Sequence, residues 1–365
     1  MRIAFLAAAT SVHAQRWVAE LARRGHEIIL FTQHPETRWV PPISVRVEFL
    51  RRRGSAGYIF NVQQLRRRIS IFRPEVLNCH YASGYGTTAA LCGFHPLVMS
   101  VWGSDVYDFP YQAWWKHALI RANLRRADII ASTSYDMAGQ VRRLVPELKH
   151  VMVTPFGVDC EKFKPVVGVR DSRFHTIGTT KGLALIYGID LLVRAFALVS
   201  EDRRIAEPRN SVQLRLIIVG HGGERAKIEC LATSLGVESR IEFVGYVPHE
   251  EIPKWLNLFD VFVAPSRQES FGVSVIEASA CGIPVIVSDA GGLPEVVQAG
   301  KTGYVVPKEN VEALAESIVK LLIDRSLQLK MGEAGRKFVQ SEYEWGNCVD
   351  RMEDVYQRAL VARIE

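Results

Sequence analysis

Short apolar runs alternate with longer amphipathic stretches along the first 165 residues. Runs of about four to eight apolar residues are typical of buried strands, and apolar residues at helical spacing between them indicate covering helices. Residues 14–24, for example, show helical spacing that stops at Gly25. Strands are predicted at 3–8, 26–32, 45–49, 76–79, 97–101, 129–132 and 150–153. This alternation predicts a parallel sheet with crossover helices.

The alternation pauses at residues 154–165 and then starts again. Pro155, Gly157 and Pro165 make this span the best candidate for a linker. Further strands are predicted at 174–178, 214–220, 241–244, 261–264, 285–288 and 303–306. We therefore expect two doubly wound α/β domains, residues 1–165 and 166–340, with a last helical stretch, 341–365, that packs back on the first domain. Ligands of such sheets bind beyond the carboxyl ends of the strands, so the chemistry is expected on loops in a cleft between the domains.

Composition and charge narrow the class of protein. The chain has 365 residues, of which 48% are hydrophobic and 23% charged, and this excludes a disordered chain. The net charge of +6 is uneven: residues 1–165 carry 22 Lys and Arg against 12 Asp and Glu, whereas residues 166–365 carry 23 against 27. The basic half predicts a polyanionic partner, which is a nucleic acid, an anionic membrane or a phosphorylated substrate. Because no helix-turn-helix, zinc or aromatic RNA-binding motif occurs, a nucleic acid is not expected.

The sequence lacks the patterns that would predict a transmembrane helix, a disulfide framework, a metal site or a serine hydrolase. No stretch reaches 18 consecutive apolar residues, so no transmembrane helix is expected. The six cysteines are scattered without a Cys-x-x-Cys pair, which favours the reducing cytoplasm over a disulfide framework or a zinc site. No Asp-x-Asp triplet occurs, so no metal-bridged diphosphate is expected, and no Gly-x-Ser-x-Gly elbow indicates a serine hydrolase.

The most informative stretch, residues 264–278, opens at a predicted strand end. Ser270 or Gly272 begins a helix there, and a helix N-terminus binds anions through its free N–H groups and its dipole. Gly272 lets a phosphate approach the backbone closely. Glu269 precedes the helix and is expected to face the cleft, with Glu277 about 8–12 Å further along. The pattern predicts a site in which one carboxylate binds sugar hydroxyls and the other binds ribose hydroxyls.

This stretch resembles the E-x7-E motif of the retaining glycosyltransferases of family 4, the glycogen-synthase-like group 1 enzymes with a GT-B fold. The resemblance covers nearly the whole chain. Further matching segments are L-A-R-R-G-H-E-I at 21–28, the glycine turn at 220–223, F-V-G-Y-V at 243–247, two runs within 284–295 and G-K-T-G-Y-V-V at 300–306. The resemblance implies two Rossmann-like doubly wound domains that face a cleft.

The resemblance also implies roles for the matching residues. Glu269 would contact the donor hexose, and Glu277 would bind the ribose of the donor. The other donor-binding positions are Gly220 at the turn, Gly245 and Tyr246 beside the nucleobase, Ser270 at the helix start, and Phe271, Gly272 and Val273 beside the diphosphate.

Lys181 follows a predicted strand end, where a cation could neutralise the charge on a departing diphosphate. The alternative is a solvated loop lysine. In the family, an Arg or Lys stands here and a second basic residue follows a few positions on, just before a glycine. This chain carries Ile186 and Tyr187 instead. We expect either that another residue, such as the nearby Arg267, acts as the second cation, or that activity is reduced.

The first domain is expected to bind the acceptor. His13 and Arg16 open the first helix and could bind a diphosphate or an acceptor hydroxyl, or could simply form a capped helix start. His80 at another strand end is either an acceptor ligand or a structural histidine. Trp102 stands where many relatives carry a histidine, which makes Asp105 the nearest polar candidate for binding the acceptor or the donor sugar.

Two basic stretches of the first domain, 58–68 and 114–126, also carry aromatic residues. Cations beside aromatics on amphipathic helices favour docking onto anionic lipid headgroups. The alternative is a set of apolar residues that face the core beneath a solvated basic surface. The sequence leaves both interpretations open.

The resulting hypothesis is a retaining glycosyltransferase that needs no metal or other cofactor. It would move a hexose-type sugar from a UDP- or GDP-linked donor to a lipid-linked or glycan acceptor in cell-envelope polysaccharide biosynthesis. We expect it in the cytoplasm, in peripheral contact with the anionic inner face of the plasma membrane. One alternative is a non-catalytic GT-B partner subunit. Another is a nicotinamide-dependent oxidoreductase, but Gly220-x-Gly222 lacks the third glycine of that motif.

Overall fold

The structure, a computed structural model, describes residues 1–34, 39–148, 150–206 and 212–361. Its internal contacts divide the chain into two compact units. Unit 1 comprises Met1–Pro155 and the chain from Cys348 on, and unit 2 comprises Phe156–Asn347. No helix in the described ranges is both long enough and apolar enough to cross a membrane.

Unit 1 is built on a sheet of parallel strands in the order β3-β2-β1-β4-β5-β6-β7. The strands are β1 (Arg2–Leu6), β2 (Glu27–Thr32), β3 (Val45–Phe49), β4 (Val76–His80), β5 (Leu97–Val101), β6 (Ile129–Ser132) and β7 (Val151–Val153). Every residue of β4, β5 and β6 is buried, because helices cover both faces of such a sheet. The helices are α1 (Val12–Arg23), α2 (Gly54–Phe60), α3 (Val62–Phe72), α4 (Gly84–Cys92), α5 (Ser104–Tyr107), α6 (Trp114–Leu124) and α7 (Tyr135–Leu144).

Unit 2 repeats this plan with parallel strands in the order β10-β9-β8-β11-β12-β13. The strands are β8 (Phe174–Thr179), β9 (Gln213–Val219), β10 (Ile241–Gly245), β11 (Val261–Ala264), β12 (Val285–Ser288) and β13 (Gly303–Val306). The helices are α8 (Ile189–Glu201), α9 (Arg203–Ala206), α10 (Arg225–Ser234), α11 (Ile252–Leu256), α12 (Val273–Ala280), α13 (Val311–Ile323) and α14 (Arg325–Glu342). The next helix, α15 (Trp345–Val361), belongs to unit 1 from Cys348 on. Short 3-10 helices include Leu185–Tyr187 and His249–Glu251.

The division between the units falls after Pro155, earlier than the expected position at residue 165. Phe156 and Phe163 are buried, and their rings contact Phe271 and His249 of unit 2. Apolar side chains in the predicted linker therefore belong to the core of the second unit, which draws the boundary towards the N-terminus.

The last helix, α15, completes unit 1. Its buried face consists of Cys348, Val349, Met352, Val355, Tyr356 and Ala359. Its acidic side chains bind the end of α1: Arg24 pairs with Asp350 and, at 2.6 Å, with Glu353. The second oxygen of Glu353 lies 2.6 Å from His26 Nε2. Burial of an apolar face and ion pairs to Arg24 and His26 thus both hold α15 in unit 1.

Each sheet reverses its strand order at one place. In unit 1 the reversal lies between β1 and β4, and in unit 2 it lies between β8 and β11. At such a point the loops leave the two neighbouring strands in opposite directions and open a crevice at their carboxyl ends, where ligands of this kind of sheet bind. A ligand-binding site in either unit is therefore expected on the loops that follow these four strands.

Candidate active site

The loops after β8 and β11 bring Lys181 and Glu269 together. Lys181 follows the end of β8, and Glu269 lies in the loop between β11 and α12, 88 positions further along the chain. The ammonium of Lys181 is paired with the carboxylate of Glu269, and the two side chains are only 8% and 13% exposed. The same ammonium lies 5.3 Å from the ring centre of Tyr187. Two predicted catalytic residues therefore meet where the strand order of unit 2 reverses.

The glycine turn after β9 supports the segment that carries Lys181. A Cβ added at Gly220 would lie 2.1 Å from the carbonyl oxygen of Lys181, and one at Gly222 would lie 2.2 Å from that of Leu183. The Gly220 N–H also donates to the Gly245 carbonyl at 2.9 Å. These glycines therefore allow a close backbone approach that positions Lys181.

Substitution of Gly220 by alanine should therefore displace Lys181. We expect a loss of about 2–4 kcal/mol in the free energy of unfolding, because the added methyl overlaps a backbone carbonyl at a residue with φ of +154°. Gly223→Ala is the matched control, since a Cβ there meets nothing within 4 Å. Chemical denaturation measures both variants, and equal stabilities would contradict the close-approach argument.

The loop before α12 is held by Phe271. Its buried ring makes edge contacts with the rings of Phe156 and Tyr343, with centroids 6.2 and 5.6 Å away. Gly272 then takes a φ of +109° and forms the N-cap of α12, which begins at Val273. Because the Phe271 side chain is committed to this apolar contact, any contact it makes with a diphosphate would come from its backbone. Ser270 and Val273 on either side are partly buried.

Four buried hydroxyls around this loop have no hydrogen-bond partner within the described part of the chain. They belong to Thr179 and Thr180 at the end of β8, Ser266 after β11 and Ser274 in the first turn of α12. An unpaired buried hydroxyl costs free energy, so such groups are uncommon away from binding sites. The sequence pattern did not indicate these residues. These unpaired hydroxyls make the ends of β8 and β11 and the start of α12 candidates for contact with a polar ligand.

Glu277 lies within α12 and is buried, with 5% of its surface exposed. His249 Nε2 lies 2.7 Å from its Oε1 atom, and the His249 ring packs on Phe163 with centroids 5.4 Å apart. Glu277 is therefore a buried, hydrogen-bonded carboxylate and not a solvated residue on the helix surface. The sequence did not predict His249 as a partner, although it lies only two positions after the matched segment at 243–247.

Gly245 and Tyr246 lie at the carboxyl end of β10. Gly245 has a φ of +86°, and its oxygen accepts the Gly220 hydrogen bond. The Tyr246 ring is 71% exposed and makes an edge contact with His221, with centroids 5.4 Å apart. An exposed aromatic pair of this kind can stack on a planar ring such as a nucleobase.

Arg267 is committed to other residues of unit 2. Its guanidinium binds both carboxylate oxygens of Asp190 at 2.7 and 2.8 Å and also pairs with Glu309 at 2.6 Å. Burial raises the pKa of Asp190, but the hydrogen bonds and charge of Arg267 outweigh it and hold that pKa below its ordinary value. These contacts favour a structural role for Arg267. Its action as a second cation at a diphosphate stays a prediction.

In unit 1, aromatic rings gather at the carboxyl ends of β4 and β5. Trp102 lies at the centre, with ring centroids 4.2 Å from His80, 5.3 Å from Tyr81 and 5.9 Å from His13. Burial, with a smaller contribution from His13, lowers the pKa of His80 to about 3, so His80 is neutral at physiological pH. The Nδ1 atom of His80 is buried without a partner in the described ranges, which makes it a candidate to bind a ligand hydroxyl.

Asp105 has a different environment from the one expected for a ligand-binding residue. It is 1% exposed, and its carboxylate accepts hydrogen bonds from the N–H groups of Ala82, Trp102 and Gly103 at 2.8, 3.1 and 2.9 Å. Burial raises its pKa, and these N–H groups counteract part of that rise. Asp105 therefore ties together the loops after β4 and β5, and a direct contact with an acceptor stays a prediction.

His13 and Arg16 lie in the first two turns of α1 and are partly buried. Ser11 caps this helix by accepting a hydrogen bond from the Ala14 N–H. The helix start is therefore capped, as one interpretation held, and the placement of His13 beside Trp102 is also compatible with the ligand interpretation.

No group of three or more His, Cys, Asp or Glu side chains that could hold a metal ion is found among the residues that the structure describes. The site instead offers a lysine, a helix N-terminus and unpaired hydroxyls. These groups suit a ligand that carries phosphate and hydroxyl groups.

Two protein families match the chain. Glycosyl transferases group 1 matches residues 173–338, and Glycosyl transferase 4-like matches residues 2–134. Among curated proteins, a GDP-mannose-dependent alpha-(1-6)-phosphatidylinositol monomannoside mannosyltransferase from Mycobacterium tuberculosis is 31% identical over 294 residues. That alignment covers 75% of this chain and 73% of the relative.

Solved structures give the same result for the fold. Sucrose-phosphate synthase from Thermosynechococcus elongatus superposes with a TM-score of 0.84 at 23% identity, covering 99% of this chain and 100% of the other. An Anabaena protein solved in complex with UDP gives a TM-score of 0.81 at 17% identity, covering 98% and 100%. With two parallel-sheet α/β units in one chain, these likenesses confirm the predicted GT-B fold.

Proposed function

Because the chain belongs to the group 1 glycosyltransferases, we propose that it transfers a hexose-type sugar from a nucleotide sugar to an acceptor, with retention of anomeric configuration. The observation that carries this proposal is the pairing of Lys181 with Glu269 beside the N-terminus of α12. A cation, a helix dipole and unpaired hydroxyls at one place suit the diphosphate of such a donor.

The donor proposed is a UDP- or GDP-linked sugar. One relative is named GDP-mannose-dependent, and one structure of the same fold was solved with UDP. The Tyr246–His221 pair offers an aromatic surface for the base. Glu277, which is buried and bound to His249 three positions after Tyr246, offers a carboxylate for the ribose. Neither feature separates uracil from guanine, so both nucleotides belong in the test.

The proposed reaction uses groups of unit 2 without a metal. Lys181 and the N-terminus of α12 would neutralise the negative charge that develops on the diphosphate as the anomeric bond breaks. Glu269, which holds Lys181 in place, would also bind a hydroxyl of the hexose. The acceptor hydroxyl would attack the anomeric carbon from the face that the diphosphate leaves, and the departing diphosphate oxygen would take its proton. The configuration is then retained.

The acceptor proposed is a lipid-linked or cell-envelope glycan at the inner face of the plasma membrane. The excess of basic residues in the first 165 residues supports a phosphate-bearing acceptor. His80, with its unpaired Nδ1 atom, is the proposed contact for an acceptor hydroxyl.

Donor binding tests this proposal directly. UDP, GDP, ADP and their sugars are added in turn, and the melting temperature is recorded, because a ligand that binds the folded state raises it. At least one nucleotide should stabilise the wild type, and its sugar should be hydrolysed or transferred with release of nucleotide. Glu269→Ala should lose nucleotide release. No shift with any nucleotide would overturn the proposed donor site.

A non-catalytic partner subunit remains a second candidate, favoured by Ile186. The Ile186 carbonyl accepts hydrogen bonds from the N–H groups of Arg267 and Gln268 at 2.7 and 3.2 Å, so this residue lies beside the loop that carries Glu269. The family's second cation is missing here, and Arg267 is bound to Asp190 and Glu309.

Introducing the missing cation distinguishes these two candidates. Ile186→Lys should raise kcat for sugar transfer about tenfold or more, because a second positive charge stabilises the departing diphosphate. Leu185→Lys adds the same charge at the neighbouring, 61% exposed position and serves as the control. If both variants transfer sugar at the wild-type rate, the missing cation does not limit catalysis. If wild type and variants are all inactive while still binding nucleotide, the partner-subunit interpretation is favoured.

A further inference from the structure

Helices α3, α4 and α6 form a continuous row in unit 1, with α4 in contact with the other two and with α2. Arginines from both sides bind the last turn of α4. Arg66 donates to the carbonyls of Leu91 and Cys92 at 2.7 and 3.0 Å, and Arg126 donates to the carbonyl of Ala90 at 3.1 Å. We call α2, α3, α4 and α6, with the residues that flank them, the helical row.

The charge of the helical row has one sign. Seven arginines and no acidic residue lie between Glu48 and Glu75, and four basic residues and no acidic residue lie between Asp108 and Asp128. The segment 76–104, which contains α4, has no Lys, Arg, Asp or Glu at all. The excess positive charge of the first half of the chain is therefore concentrated on this row.

The structure separates structural arginines from exposed ones. Arg66 binds α4, and Arg68 pairs with Glu48 at 3.2 Å. Arg51, Arg52 and Arg67 are exposed, and none of the three forms a side-chain hydrogen bond or ion pair within the described ranges. Of the three consecutive arginines at 66–68, Arg66 and Arg68 therefore bind other residues of the protein. Only the Arg67 side chain among them is exposed without a bond to the described part of the chain.

Large apolar side chains lie beside these arginines. Ile59, Phe60 and Ile71 are 58%, 70% and 68% exposed. Phe60 and Ile71 line a groove of about 460 Å³ together with Arg51, Arg52 and Arg67.

The start of α6 adds two tryptophans to the row. Trp114 and Trp115 are 84% and 50% exposed, and the ammonium of Lys116 lies 5.4 Å from the Trp115 ring centre. Tryptophan and basic residues are both typical of positions at the boundary between lipid and water.

These observations together fit one kind of partner. Phosphate groups of any polyanion would attract the arginines, but only a partner with an apolar interior also buries Phe60, Ile71 and Trp114. An anionic bilayer offers both, since its headgroups attract the basic side chains and its acyl boundary accepts the apolar ones. We propose that the helical row docks the protein onto a membrane surface that contains anionic lipids. The inference rests on the proposed function only in that a lipid-linked acceptor would then be met at this surface.

Co-sedimentation of the full chain with vesicles tests the proposal. Wild type should bind phosphatidylcholine vesicles that contain phosphatidylglycerol and should bind pure phosphatidylcholine vesicles weakly. The triple variant Arg51→Glu, Arg52→Glu, Arg67→Glu should bind the anionic vesicles at least 100-fold more weakly, since each basic residue near such a surface contributes about fivefold. Raised salt should release the wild type.

The matched control carries the same change of net charge on unit 2. Lys301, Lys308 and Lys330 are exposed there without an ion pair within the described ranges, and their replacement by glutamate should leave vesicle binding nearly unchanged. Phe60→Ser removes apolar contact without altering charge and should weaken binding several-fold. This single change on the surface also keeps the test valid if the triple variant unfolds.

Three results would overturn the proposal: equal vesicle binding by wild type and triple variant, equal loss in the control, or wild-type binding to RNA in place of vesicles. Nucleotide-induced stabilisation is measured in the same variants. It should persist in the triple variant, because the donor residues lie in unit 2. Loss of vesicle binding with intact nucleotide binding therefore concerns the docking surface alone, whereas a wild type that docks but binds no nucleotide contradicts the proposed function alone.

Discussion

Replacing Lys181 by methionine is expected to lower kcat for sugar transfer by about 10²–10³-fold, because a preorganised positive charge at the departing diphosphate is lost. Methionine keeps the length and apolar stem of the side chain but has no charge. The effect should fall mainly on kcat, since the charge is needed most when the anomeric bond is breaking. The rate of nucleotide release under saturating donor measures it.

The loss of the ion pair has to be separated from the loss of catalysis. Lys181→Met leaves the Glu269 carboxylate, 13% exposed, without its cationic partner, and this should also lower stability. Glu269→Gln breaks the same pair but keeps the lysine charge, so a comparison of melting temperatures gives the structural part. Lys181→Arg should retain much of the activity. A Lys181→Met enzyme with normal kcat and a raised KM would show that the lysine only binds the donor.

Deletion of α15 is expected to unfold unit 1. The helix buries six side chains, and at about 1.5–3 kcal/mol each their contribution is close to the whole stability of a typical domain. A chain that ends at Asn347 should show no cooperative unfolding of unit 1 when it is followed by circular dichroism. Protease should cut this chain within unit 1, while unit 2 stays resistant.

Point variants on α15 refine this test. Val355→Asp places a charge in the buried face and should destabilise unit 1 nearly as much as the deletion does. Asp354→Ala, at the preceding and exposed position, should change the free energy of unfolding by less than about 0.5 kcal/mol. A synthetic peptide of residues 345–361 should restore protease resistance to the shortened chain. Resistance of the shortened chain without the peptide would show that unit 1 folds independently of α15.

The fold followed from sequence because its strands are nearly continuous apolar runs. The predicted strands 97–101 and 261–264 coincide with β5 and β11, and Gly272 precedes the helix that it was expected to start. In a doubly wound sheet every strand is covered on both faces, so the signal is strong and local. The division after Pro155 lies within the predicted linker but before its end at residue 165, because Phe156 and Phe163 are buried apolar side chains in a span that prolines and glycine mark as a linker.

The candidate site was predicted only in part, because side-chain pairing is not local. Lys181 and Glu269 could be named from their positions after strands, but the partners of Arg267 are Asp190 and Glu309, 77 and 42 positions away. The sequence around Arg267 does not indicate that its guanidinium is paired with two carboxylates. His249 was missed for the same reason, since its bond to Glu277 spans 28 positions.

The return of α15 to unit 1 has a consequence for the synthesis of this protein on the ribosome. Unit 2 is continuous in sequence, so all its residues have been synthesised before α15 is complete. Unit 1 cannot finish folding until α15 has been synthesised. At roughly 5–20 residues per second, the intervening 156–347 segment takes about 10–40 s to synthesise. During that interval the surface that α15 covers stays exposed in the nascent chain. The N-terminal unit, although made first, is therefore completed last.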